Sequence, residues 1–556
     1  MSKMRILSVI LVLVLCFVLF AGCGSREADT GSDTTTEPKD STSTDTEQSK
    51  DQQSQQEDSE DSGDAESVYP IKGDYKLTYW VELAANVTAY CTNYSELPWR
   101  QELEKRTGVK VEYIHPPVGQ AEESLNVLLA SGEYPDIMVY QWPSYPGGVM
   151  KLYNDGVIIE LTDLMKKYAP NLMAYYEANP EVARQVKSDD GKFYLVPFIR
   201  GHKELRHTSG PVLRADWLKA NGHDVPITIA DWEKVLTAFK ENQGCEAPFT
   251  GNLDQIRMTF VNAFGIDRTF YPDNKVVKFG PVEDGYKEFL ITMADWYKKG
   301  LIDQNFSTVD RTIQDSKMTT GRAGATRAAG GGQMGPYINT ARKENPEYDL
   351  VAAPYPVKNP GEKPKYMNSF EFTSNGHAVI TTSCKHPDIA MRFLDYAYSE
   401  EGHILYNYGI EGVSFEYVNG VPTYTDLIMN NPEGLTIAQA MSKYCLAPIN
   451  GPFIQDVNYI RQYYTMPQQK DALVKWSDVD ENTSVMPPIT FTPEESAEVA
   501  KIMNEINTYV DEMTMKIIMG TEPVSKVDEF QKTIKDMGID KAIEIYQRAL
   551  DRYYAR

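Results

Sequence analysis

The composition of this chain breaks near Val68, and nothing before the break can share a fold with the residues after it. Residues 24–68 are mostly Ser, Thr, Asp, Glu and Gln, with one Pro and no aromatic. Fourteen acidic residues face three basic ones there, a net of −11 out of −24 for the whole chain. Such a stretch buries too little to offset its ordering entropy, and repulsion between like charges extends it. A disordered acidic tether is expected over 24–68. Ahead of it, Lys3 and Arg5 precede an apolar run over 6–20. The run is short for a hydrocarbon core about 30 Å thick and has the make-up of a cleavable export signal.

That signal, residues 1–23, closes on Leu19-Phe20-Ala21-Gly22-Cys23. Small residues directly before a cysteine resemble a bacterial lipobox, although Phe20 stands where such motifs usually carry Leu. An ordinary secretory signal is the alternative. Lipidation of Cys23 would hold the mature protein on the outer face of the cytoplasmic membrane without spanning it. The body over 69–556 is too long for one hydrophobic core and should divide into lobes. The chain holds 35 Tyr against 19 Phe, with 7 Trp. Amphipathic aromatics in an exported protein suit polar ligands with apolar faces, such as sugars, though core and rim packing accounts for most of them. The acid surplus argues against nucleic acid and polyanionic substrates. Cys91, Cys245, Cys384 and Cys445 have neither C-x-x-C nor zinc spacing, so one disulfide or four free thiols remain open.

The body begins with an alternation of two periods. Residues 75–81 read as a strand, and 97–107 carry helix formers up to Gly108. Val109, Val111 and Tyr113 repeat every second residue. Leu125, Leu128 and Leu129 share a helical face that Gly132 stops, and 135–140 read as a third strand. Strand, helix, strand, helix, strand at this spacing requires a mostly parallel sheet with right-handed crossovers. In open sheets of this kind ligands sit beyond the carboxyl ends of the strands, here marked by Trp80, Tyr140 and Trp142. The later chain reads as mostly helical, with strand-like stretches only at 348–354 and 377–382. One helix is expected to start at Pro387 and end near Gly402. Another starts with Thr492, Pro493 and Glu495 as a capping box and ends at Gly520.

Several segments, taken in order, resemble a known family. They are Leu128-Leu-Ala-Ser-Gly-Glu-Tyr-Pro-Asp136, Arg214-Ala-Asp-Trp-Leu218, Ala238-Phe-Lys-Glu241, Ala263-Phe-Gly-Ile266 and Trp296-Tyr-Lys-Lys-Gly-Leu-Ile-Asp303. With them go 387–398, Tyr408-Gly-Ile-Glu-Gly412 and 546–553. Over 69–556 the chain resembles the family 1 extracellular solute-binding proteins of bacterial ABC importers, in their large lipoprotein subgroup of oligosaccharide binders. The resemblance implies an α/β fold of the type II periplasmic-binding-protein class, two lobes joined by a multi-crossing hinge around a cleft. It places 69–200 and 377–424 in the N-terminal lobe, and 201–376 and 425–556 in the C-terminal lobe. It also implies a non-enzymatic monomer that binds an oligosaccharide, or a peptide or other small solute, and docks on permease subunits. Relatives often carry a calcium loop after the segment matching 238–241. Residues 242–248 offer too few spaced oxygens for a 6–8-coordinate cation, so no metal is expected there.

Candidate ligand-binding residues are Trp80, Tyr140, Trp142, Arg214, Trp217, Phe370, Glu371 and Glu411, with Phe372 next to Glu371 at the expected hinge and Tyr194 and Arg200 beside another expected crossing. Each has a structural alternative. Lobe packing would account for the tryptophans, an ion pair with Asp216 or a hinge carboxylate for Arg214, and turn-fixing for Glu411. The run Ala328-Ala-Gly-Gly-Gly-Gln-Met-Gly335 lacks the ending of a phosphate loop and reads as a place of close backbone approach. Asp189-Asp190 reads as an exposed turn. No nucleophile elbow or cofactor motif is present, and no carboxylate pair stands out, so a secreted glycan hydrolase is the weaker alternative.

Overall fold

The period-2 pattern of Val109–Ile114 becomes a strand whose residues alternate between buried and exposed. It pairs in parallel with Tyr75–Val81, Tyr75 opposite Val109, and Tyr75–Val81 pairs in parallel with Ile137–Tyr140. The helices between them, Pro98–Thr107 and Ala121–Ser131, each end at a left-handed glycine, Gly108 and Gly132. The fourth strand, His377–Ile380, comes from far along the chain and lies antiparallel against Ile137–Tyr140. In this computed structural model the described residues are 69–373 and 375–556. The export signal, Cys23 and the acidic tether lie outside them.

A second four-stranded sheet has the order Ala247–Phe249, Ala323–Ala329, Ser209–Arg214, Leu350–Ala352. It is mixed, with only the first two strands parallel. Three of these strands contradict the expectation of a mostly helical second half. Their sequences, Ser-Gly-Pro-Val-Leu-Arg and Ala-Gly-Ala-Thr-Arg-Ala-Ala among them, lack the bulky β-branched residues that mark strands. The small residues are there because large ones press on them. A Cβ on Gly210 would lie 2.4 Å from the Trp476 ring, and one on Gly324 2.4 Å from Phe239.

Each sheet carries a large core of its own. One gathers side chains from Ile71 to Ile199, from Ala378 to Tyr406, and Leu446 and Phe453. The other runs from Leu213 to Tyr366 and from Val499 to Tyr553. A smaller cluster joins Tyr408, Phe415 and Tyr424 to Ile428, Met441 and Tyr464, running across residue 424. The lobes meet where three chain segments run side by side. The Val196 amide donates to Ala378 O at 2.7 Å and the Arg200 amide to Glu371 O at 2.9 Å. Ile199 exchanges hydrogen bonds with Phe453 O and the Gln455 amide at 3.0 and 2.9 Å. The buried His377 ring pins this junction, accepting from the Phe198 amide at 3.0 Å and facing Thr373 O at 2.9 Å.

The C-terminal helices obey their caps. Pro493–Met519 opens on reciprocal Thr492–Glu495 bonds of 3.2 Å and closes at Gly520. The helix from Pro387 stops at Asp395, however, and Ser399 caps a new one, Glu400–Tyr408. Gly402 therefore lies in a first turn, where a Cβ would collide with Tyr396 O.

Candidate functional site

A cavity of about 670 Å³ lies between the two large cores. That is mid-range for small-molecule sites. Residues 143–150, 185–188 and Leu195 line one wall, and Met150, Leu195 and Tyr145 pack on the first core. Residues 485–491 and Ser496 form the other wall, with Met486, Ile489 and Phe491 packed on the second core. The floor is the junction itself, with Arg200, Arg206, Ser369, Phe370, Phe372 and Thr373.

The first wall begins where Ile137–Tyr140 ends, as the strand-end rule requires. Trp142 has no exposed surface, and its indole N–H points at Met138 O, 3.4 Å away. It anchors the loop from below, so the residues after it face the cavity. An aromatic chain runs from Trp80 through Tyr140 and Trp142 to Tyr145, with successive ring centroids 6.1, 5.4 and 6.1 Å apart. Only Tyr145 of these four lines the cavity. Gly147 and Gly148 then take left-handed φ of 81° and 59°, turning the loop into a short helix.

Of the eight residues expected from sequence to bind ligand, Phe370 alone lines this cavity. Trp80 and Trp142 are core residues. Arg214 is 2% exposed, its guanidinium hydrogen-bonded to Asp216 and held between the Trp217 and Tyr348 rings, 4.2 Å from each. Trp217 itself packs on Phe239. Glu371 serves the junction. Its carboxylate accepts from Gln185 at 3.1 Å and faces Arg206 at 3.5 Å. Glu411 is exposed, on an isolated bridge to Phe415 that closes the turn over 412–414. Tyr194 is buried and donates to Asp190 at 2.6 Å. Arg200 and Phe372 do line the cavity.

Sequence reasoning missed Tyr145, Phe491 and Arg556. The visible signal was apolar character without period in loops rich in Pro and Gly, at 143–148 and 485–491. Asp189 is not the exposed turn residue expected. Its carboxylate receives Arg552 Nε at 2.7 Å and Arg556 Nη2 at 2.8 Å, joining the first lobe to the C-terminal helix Ile539–Ala555 and the residue after it. Burial raises the Asp189 pKa, but hydrogen bonds from Thr490, Arg552 and Arg556 outweigh it and hold the carboxyl below its usual range. The two arginines also hold the second wall, Arg552 through Thr490 O at 2.9 Å and Arg556 through Pro488 O at 3.1 Å.

Charge in the cavity is one-sided. Lys187, Arg200, Arg206 and Arg556 line it, and no Asp, Glu, His or Cys does among the described residues. The glycine run at 330–335 lies elsewhere and admits Tyr464, Tyr463 and Gln469, each within 3 Å of where a Cβ would stand. At 242–248 the residues do not fit a calcium ion. Glu246 is paired with Lys317 and Arg322, and Asn242 donates to Asn221. The four cysteines are free thiols, with Cys245 pushed up to about 11 and Cys445 to about 12 by burial.

The family model described as bacterial extracellular solute-binding protein matches residues 89–404. The fructooligosaccharide ABC transporter substrate-binding protein FusA of Streptococcus pneumoniae serotype 4 is 25% identical over 492 residues, covering 82% of this chain and 87% of that protein. The polygalacturonan/rhamnogalacturonan-binding protein YtcQ of Bacillus subtilis is 24% identical over 471 residues, covering 81% and 87%. Among solved structures, the alginate-binding protein AlgQ2 without calcium ion shares the fold with a TM-score of 0.66. It is 24% identical, over 87% of this chain and 100% of that one.

Proposed function

This chain belongs to the bacterial extracellular solute-binding proteins, and we propose that it captures an oligosaccharide between its lobes and delivers it unchanged to an ABC permease. A diacylated Cys23 and the acidic tether would hold it, as a monomer, at the outer face of the cytoplasmic membrane. The observation that carries the reading is the lining of the cavity. Aromatic side chains line both walls, Tyr145 on one and Phe491 on the other, and Phe370 and Phe372 line the floor, among Ser144, Gln185, Ser188, Thr373 and Thr490. Rings that bury sugar faces, beside groups that donate and accept hydrogen bonds, are what a glycan requires.

A guest touching both walls contributes its contacts only when the lobes are together, so it shifts an open–closed balance. Moving that balance from 1:99 to 99:1 takes about 5.5 kcal/mol of differential affinity. Hydrolysis by paired carboxylates is disfavoured because the lining carries none. The test is a thermal-shift panel of glycans and peptides, then mass spectrometry of each bound ligand. A guest at 100 times its Kd should add about 2.7 kcal/mol to stability. Glycans recovered intact support the reading. Cleaved glycans, or stabilisation by peptides alone, overturn it.

A further inference from the structure

We infer that the guest is acid-bearing, an oligosaccharide with carboxylate or sulfate groups, an inference that rests on the carbohydrate reading. The formal charge of −24, less −11 in the tether and +2 in the signal, leaves −15 on residues 69–556. A cavity drawn at random from such a body should hold more acids than bases. Instead all four lining residues that carry charge at neutral pH, Lys187, Arg200, Arg206 and Arg556, are cationic.

Two of these charges have protein partners. Arg556 is met by Asp189 and Arg206 by Glu371, behind the lining. Arg200 is not met by a carboxylate. Its Nη2 donates to Asn450 at 3.2 Å, its guanidinium lies 5.2 Å from the centre of the Phe198 ring, and burial lowers its pKa. Lys187 likewise faces only a ring, Phe193, at 5.4 Å. The Nε–H groups of Arg200 and Arg206 are buried without an acceptor. Both residues stand on the floor, where the chain crosses between lobes, so a guest reaching the floor meets them together. A guanidinium with no local anion is matched by a planar or tetrahedral oxyanion that accepts from its terminal N–H groups. A neutral sugar would leave the charge of Arg200 uncompensated in the closed cleft, a costly arrangement.

The whole-chain acidity that argued against polyanions does not bear on this. At physiological ionic strength the field of surface carboxylates fades over about 8 Å, whereas groups inside the cleft act at contact distance.

The test uses the full chain and calorimetric titration with trimers of galacturonate, mannuronate and glucuronate, each beside its carboxyl-reduced neutral form, and with a sulfated trimer. The expected result is at least one acidic trimer binding tenfold or more tighter than its neutral form. That advantage should shrink from 20 to 500 mM salt. Arg200→Gln, and separately Lys187→Gln, should each weaken acidic-trimer binding at least fivefold more than they weaken binding of the matching neutral form. Uronate and sulfate arms tell the two acid types apart. Neutral trimers binding equally well or better would overturn the inference and leave the carbohydrate reading standing. Equal loss of acidic and neutral binding in both variants would overturn it too. Binding of no sugar of either kind would overturn both readings.

Discussion

Removing the Asp189 carboxylate should open the cleft. Asp189→Ala deletes bonds of 2.7 and 2.8 Å to Arg552 and Arg556, the charged ties seen between the first lobe and the end of the chain. Arg552 keeps Glu495, and its side chain is 30% exposed, so its loss is small. Arg556 is different. Its side chain is 1% exposed and would retain only Pro488 O and Thr490 Oγ1 as acceptors. Breaking a fully buried pair costs roughly 3–5 kcal/mol, and an exposed one under about 1. With Asp189 23% exposed, about 2 kcal/mol is expected. That lowers the closed-to-open ratio by roughly 30-fold and weakens ligand binding by up to the same factor. Small-angle scattering of the free protein should show a larger radius of gyration, and a double-mutant cycle with Arg556→Gln should return most of the 2 kcal/mol as coupling. Unchanged scattering, with coupling under about 0.5 kcal/mol, would refute the reasoning.

The packing sets three further outcomes. Burial pushes His377 down to about 3 against 6.5 for the free side chain, so the unfolded chain binds a proton that the folded one refuses. The stability from this site is complete above pH 6.5 and is lost as the pH falls toward 3. Between pH 7.5 and 5 about 2 kcal/mol should go, a loss that denaturant titrations should find absent in His377→Gln. Trp142→Ala removes a fully buried ring beneath the cavity loop and should cost about 3–5 kcal/mol in urea unfolding. A cost below about 1 kcal/mol would mean that the ring does not anchor that loop. Gly324→Val drives a side chain into Phe239 and Trp217 and should destabilise by at least about 1–3 kcal/mol, read as a drop in melting temperature.

How far the sequence could be read depended on which residues supply the bulk. In the first lobe the strands carry their own large residues, so Val109–Ile114 alternates in sequence as it does in space. In the second sheet the bulk comes from elsewhere. Trp476 covers Gly210, and Phe239 covers Gly324, so Ala323–Ala329 looks like no strand by itself. The site divides in the same way. The strand-end rule leads to the loop that borders the cavity, with Trp142 as its anchor and the half-buried Tyr145 lining it. Residue type alone does not say which of two neighbouring aromatics turns inward. Arg214 suits bidentate chemistry that Asp216 already satisfies, and Glu371 stands at the expected hinge but is taken up there by Gln185 and Arg206. Arg556 and Asp189 were out of reach because their meeting spans 367 positions and depends on the lobes being together.

The most direct test of a cleft that grips a glycan is a crystal structure of the protein with the tightest-binding oligosaccharide from the panel. Sugar density between Tyr145 and Phe491, reaching down to Phe370 and Arg200, is the expected result. Density anywhere else, with those four side chains untouched, would contradict it.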